Sequence, residues 1–142
     1  MTEPEEQLHE TQRAALRRLA EEIREGGPAL HDHVRAVFGL LGDKWAILIL
    51  LVLQAGPLRH AELRRALDAM FLRERISQRI LTLKLRALER LHMIERHVTE
   101  AALPRVDYAL TPVGVQMTLR VRGIIDWIAS DLPLPMVPAE DD

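Results

Sequence analysis

The chain has 142 residues, 48% hydrophobic and 28% charged, with a net charge of −2. That length suits one domain around one buried core, and the composition is that of a globular protein rather than a disordered one. With no cysteine, disulfides, thiolate metal sites, thiol redox sensing and cysteine nucleophiles are excluded.

The acidic amino terminus, MTEPEEQLHE, resembles neither a secretory signal nor an Arg-rich transit peptide, so a cytoplasmic location is expected. Leu8, Ala15, Leu19 and Ile23 recur at helical spacing over residues 4–24 and predict an amphipathic helix with a thin apolar stripe, stopped by EGGP. So thin a stripe holds a helix only when it lies on its own domain or on a partner chain. A second helix is expected from about Leu30, through Val34, Val37, Phe38 and Leu41, to a break at Gly42 and Asp43. The run WAILILLVL, residues 45–53, is less than half of the roughly 20 residues a membrane span needs, and predicts the central core helix instead. AGP ends it, a Gly cap followed by Pro.

LRHAELRRAL predicts a short helix with Leu63, Ala66 and Leu67 inward, followed by a helix from Ser77 to about Leu91. IERHV and VDYAL, joined by TEAALPR, alternate with period two and predict a β-hairpin. Thr111 and Pro112 then supply an N-cap and a first-turn Pro for a final helix whose Val113, Met117, Val121, Ile124 and Ile128 share one face. The Pro-rich acidic end is expected to be disordered. The predicted organisation is a terminal helix (1–27), a central domain (28–131) and a tail (132–142). The fold class is mainly α with a small β-hairpin, in the order of a winged helix-turn-helix, with helices at both termini suited to a dimer interface.

Charge distribution says more than the total. Residues 59–97 hold ten Lys/Arg against five Asp/Glu, while both chain ends are acidic, as expected of one face directed at phosphate. At about 100° per residue, Ile80, Leu81, Leu85 and Leu88 form the buried arc of the 77–91 helix. Arg79, Thr82, Leu83, Arg86 and Arg90 lie opposite, with Gln78 at the edge. Such a face suits a DNA major groove: Arg can pair with guanine, Gln with adenine, and Thr and Leu can offer methyls to thymine. Ser77 stands where an N-cap belongs, at a helix terminus that favours phosphate. Arg105, before the second strand, sits where a wing would meet the backbone or minor groove, and Arg59, Arg73 and Arg75 are candidate phosphate contacts.

In that order, LLGDKWAILIL, PLRHAELRRAL, ISQRILTLKLRALE and PRVDYALTPVG resemble the HxlR-type family of bacterial winged helix-turn-helix transcriptional regulators, over residues 34–127, about two thirds of the chain. The resemblance implies a homodimer joined through its first and last helices, binding an inverted repeat in double-stranded DNA. It places the helix from Ser77 in the major groove and the Arg105 hairpin as the wing, and matches Gly42, Lys44 and Trp45 to a structural signature with Trp45 as core. The dimer contact would use Leu8, Leu19, Ile23, Val113, Met117, Val121, Ile124 and Ile128.

The chain departs from the family in places. Asp32 stands where many relatives carry a cysteine, His60 replaces a usual Phe, and Ala61 replaces a usual cap residue. Residues 68–75 exceed the usual spacing and are expected to extend the preceding helix, with added phosphate contacts from Arg73 and Arg75 as the alternative. His92 takes the place of a C-cap Gly, which requires a left-handed conformation.

Two other function classes stand beside DNA reading. His31, Asp32, His33, His60, His92 and His97 raise histidine chemistry, but i and i+2 side chains diverge on a helix and no HExxH or nucleophile elbow is present. A winged-helix protein-interaction module without DNA readout is the other. No catalytic residue, metal or cofactor is expected, and no polar constellation identifies a small-molecule effector, for which there is room between the terminal helices and the core.

Overall fold

The computed structural model describes residues 9–70, 74–100 and 102–133. Its elements are α1 (Glu10–Glu25), α2 (Gly27–Leu41), α3 (Lys44–Leu53), α4 (His60–Met70), α5 (Gln78–Arg90), β1 (Ile94–Thr99), β2 (Arg105–Leu110) and α6 (Pro112–Asp131). They form two compact units, one ending at Gly42 and the other beginning at Asp43. The predicted order of elements is thus the observed one, except that α2 starts directly after α1. Among the described residues no single helix is long and apolar enough to cross a membrane.

In the first unit α1 packs on α2. Gly26 and Gly27 make the break. Gly27 has φ +72°, open to glycine without a steric penalty, and Pro28 follows at the start of α2. No residue of α1 is buried: Leu19 and Ile23 are exposed, and Leu8 lies outside the described residues.

The second unit holds the core. α3 contributes Ile49, Leu50 and Leu53, α4 contributes Leu63 and Leu67, and α5 contributes Leu81, Leu85 and Leu88, joined by Ile76, Met93, Ile94 and Val121. Burying each such side chain is worth roughly 1.5–3 kcal/mol, so this cluster holds the helices in place. Ile80, expected in the buried arc, is instead 38% exposed. The buried arc of α5 is narrower than its apolar arc, because the core, with α3 and β1 packed on α5, takes only the Leu81, Leu85 and Leu88 side. Trp45 is half-buried, with the Lys44 ammonium over its ring.

The joint between α5, the hairpin and α6 is made by backbone. His92 has φ +57°, as its place after α5 requires. The His92 amide donates to the Glu89 carbonyl at 2.9 Å and the Met93 amide to the Leu88 carbonyl at 3.0 Å, which closes a Schellman motif. Since left-handed backbone costs a residue with a Cβ about 1 kcal/mol or more, His92→Gly is expected to raise stability by about 1 kcal/mol. A higher urea midpoint at unchanged m would show it.

β1 and β2 pair antiparallel, Ile94 opposite Leu110 and Thr99 opposite Arg105. Leu58 adds an isolated bridge to Tyr108, each amide donating to the other's carbonyl, at 3.0 and 2.8 Å. The predicted alternation does not appear as alternating burial: in β1 only Ile94 is buried, whereas β2, which packs against α3, α4 and α6, is half-buried from Val106 to Leu110. Thr111 then caps α6 by accepting from the Gly114 amide at 2.9 Å, while its hydroxyl donates to the His92 carbonyl at 2.6 Å.

Candidate nucleic-acid interface

α4 and α5 are the two helices of the helix-turn-helix, and α4 fixes where α5 begins. Asp68 on α4 accepts from the Ile76 amide at 3.2 Å, and Arg64, one turn earlier, donates to the Ile76 carbonyl at 3.3 Å. Both backbone groups of Ile76 are thereby fastened to α4, with its side chain buried. Ser77 follows as the predicted N-cap, its Oγ accepting from the Ile80 amide at 3.1 Å. α4 does continue beyond Leu67, through Asp68, Ala69 and Met70; Arg73 lies outside the described residues.

Ser77, Gln78, Arg79, Thr82, Leu83 and Arg86 line one shallow, open depression on the exposed side of α5. The fold thus brings together the six α5-side candidates for DNA contact, while Arg90, which periodicity puts on the same face, does not line the depression. Thr82 alone among them is tied to another helix, with its Oγ1 3.1 Å from His60 Nε2.

The charges divide into engaged and unengaged. Lys84 pairs with Asp43 at 2.6 Å and Arg59 with Glu62 at 3.3 Å, while Lys44 pairs with Glu74. Glu62 also accepts from the Arg59 amide at 3.1 Å, at the start of α4, where Ala61 lies within the first turn and not at the cap. On the wing, Arg105 pairs with Asp107 at 3.3 Å, so its guanidinium must exchange one anion for another to meet phosphate. Arg75, Arg79 and Arg86 are exposed and have no ion pair among the described residues. Unpaired positive charge therefore lies in and beside the depression, as it also does at exposed Arg65, Arg90 and Arg96 elsewhere on the second unit.

The Asp43–Lys84 pair ties α5 to the start of α3, where Asp43 is also the N-cap, accepting from the Ala46 amide at 3.2 Å. Burial alone would raise the Asp43 carboxyl, but Lys84 and the amides of Ala46 and Trp45 outweigh it and hold the group below its ordinary 3.8. A depressed carboxylate stabilises the fold above its unfolded pKa, and that contribution is lost as pH falls through the lower folded value. Asp43→Asn is therefore expected to cost about 1 kcal/mol at pH 7 and to be nearly neutral once both forms are protonated, well below pH 3.8. Urea titrations at the two pH values would reveal the difference.

α6 has few residues in the core. Only Gly114, Thr118 and Val121 are buried, and every residue from Arg122 to Asp131 is exposed. Of the five α6 residues assigned to a partner, Val113, Ile124 and Ile128 are exposed. Val121, at 5% exposure, packs into its own chain, and Met117 is half-buried. Val121 is corrected to an intrachain position, since one side of the helix must close the core on α3, whereas half-buried Met117 keeps part of its surface open. Ile125 and Trp127, which the periodicity left out, extend the exposed apolar surface.

Two helices joined by a turn, the second open to solvent and followed by a hairpin, make this a winged helix-turn-helix protein. The HxlR-like helix-turn-helix family model matches residues 40–134, and the chain belongs to that family. It is a DNA-binding transcriptional regulator rather than an enzyme. The HTH-type transcriptional regulator YtfH of Escherichia coli is 32% identical over 116 residues, 81% of this chain and 87% of that protein. The reduced form of the transcriptional regulator YodB from B. subtilis matches with a TM-score of 0.58 at 30% identity, covering 71% of this chain and 89% of that one. The transcriptional regulator ytfH from Salmonella typhimurium gives a TM-score of 0.57 at 33% identity, covering 70% and 84%. Another structural neighbour, HypR, is a redox regulator. This chain has no thiol with which to serve such a role, and Asp32 is an exposed residue of α2.

Proposed function

We propose that this regulator acts as a homodimer on an inverted repeat, each copy laying α5 in the major groove and the β1–β2 hairpin against the flanking backbone. The observation that carries the reading is the single open depression formed by Ser77, Gln78, Arg79, Thr82, Leu83 and Arg86, with two unpaired guanidiniums at its lining. Gln78, Arg79 and Arg86 are side chains that discriminate base edges, whereas Arg105 and Arg75 supply sequence-independent attraction to phosphate.

The dimer is supported by exposed apolar residues at both ends of the chain: Leu19 and Ile23 on α1, and Ile124, Trp127 and Ile128 on α6. A 20-residue helix with an uncovered apolar half favours a second copy of itself over water. The regulator would act in the cytoplasm, with half-sites about one DNA helical turn, or a multiple of it, apart.

Selection from random duplex DNA tests the reading, and the enriched sequences are expected to be two-fold symmetric. Sedimentation is expected to give twice the chain mass, and Ile124→Glu with Ile128→Glu to give a monomer with weakened operator binding. A protein that docks partners but enriches no duplex would show the winged domain to be an interaction module instead.

A further inference from the structure

His60 opens α4, Thr82 lies in the second turn of α5, and their side chains meet with Nε2 3.1 Å from Oγ1. The Thr82 hydroxyl has a second partner, the Gln78 carbonyl at 2.9 Å, to which it donates. A hydroxyl has one proton to give. Once that proton lies on the Gln78 carbonyl, the oxygen can only accept from His60, so Nε2 must carry a hydrogen. The neutral Nε2–H tautomer and the imidazolium both meet that condition.

A helical threonine ordinarily divides between two rotamers, because its hydroxyl can reach back to a carbonyl one turn earlier. A donor from another helix selects the rotamer in which the hydroxyl keeps both partners. The hydroxyl's only proton and one of its two lone pairs are then committed, so it cannot donate into the depression that Gln78, Arg79, Leu83 and Arg86 also line, and the Thr82 methyl is the group left to favour an apolar contact there. In a DNA major groove the apolar feature of a base edge is the thymine methyl.

We propose that His60 is a positioning residue for base readout: by donating from Nε2 to Thr82 it fixes that side chain so that its methyl selects thymine at one step of each half-site. This rests on the reading of α5 as the helix in the major groove. His60 touches no base in this role and acts through Thr82. It also couples α4 to α5 near the amino end of α5, at the flank of the helix beside its buried leucines.

The test uses the full chain and the duplex it enriches, with each thymine replaced in turn by uracil, which lacks the methyl. The parent is expected to lose affinity roughly fourfold at one thymine per half-site, the factor equivalent to one methylene-sized burial. His60→Phe, which removes the donor, is expected to erase that discrimination and leave the other positions unchanged, and His60→Gln, which retains an N–H donor, to restore it. Thr82→Ser keeps the hydroxyl without the methyl and is expected to erase it as well, which decides the matter even if His60→Phe folds poorly. Undiminished thymine discrimination in His60→Phe or in Thr82→Ser overturns the proposal, as does a sequence-specific parent indifferent to every uracil. A parent that enriches no sequence at all overturns the groove reading and the His60 role with it.

Discussion

Replacing Arg79 or Arg86 by Ala is expected to weaken operator binding by about 1–3 kcal/mol, roughly five- to 150-fold, and to broaden the choice of base at the position each contacts. Both guanidiniums line the open depression, and neither must leave an intramolecular carboxylate to reach DNA. Arg105 differs, because it is already paired with Asp107. Arg105→Ala is expected to weaken all sequences alike and to lower the slope of log K against log salt by about one. Fluorescence anisotropy on the selected operator and on a scrambled duplex, across a salt series, separates the two behaviours. Parental affinity and selectivity in both α5 variants would remove α5 from the groove.

Gly114→Ala is expected to destabilise the fold by about 2–4 kcal/mol, a drop of roughly 10–20 °C in midpoint for a domain of this size. A Cβ at Gly114 would stand 1.9 Å from the Met93 carbonyl oxygen, and that atom is backbone. The same carbonyl accepts from the Thr111 amide at 3.1 Å, so it cannot retreat without loosening the cap of α6. Gly123, also on α6, meets nothing within 4 Å, and Gly123→Ala is expected to stabilise by about 0.5–1 kcal/mol. Calorimetry on the pair isolates the close approach from helix propensity, and equal midpoints for parent and Gly114→Ala would contradict it.

Features that depend on a few neighbouring residues were legible in the sequence. Ser77 and Thr111 could be placed as caps because each follows from short-range backbone geometry, whereas the left-handed conformation of His92 followed only from the family resemblance. The six residues of the depression were legible too, since helical periodicity assigns residues to a common face. Periodicity does not say what covers that face. Ile80 shares an arc with leucines and so reads as buried, although the core covers only part of that arc. Val121 shares a stripe with Val113, Ile124 and Ile128, although among these it alone packs into its own chain. Contacts between residues far apart in sequence, such as Lys84 with Asp43 or His60 with Thr82, leave no local pattern. The Arg64 and Asp68 pairing on Ile76 was half-visible: the i and i+4 spacing puts both on one side of α4, but their shared target lies beyond the helix.

That grip on Ile76 bears on the placement of α5. Since the amide and carbonyl of Ile76 are both moored to α4, the start of α5 is set by α4 itself and not only by the chain that joins them.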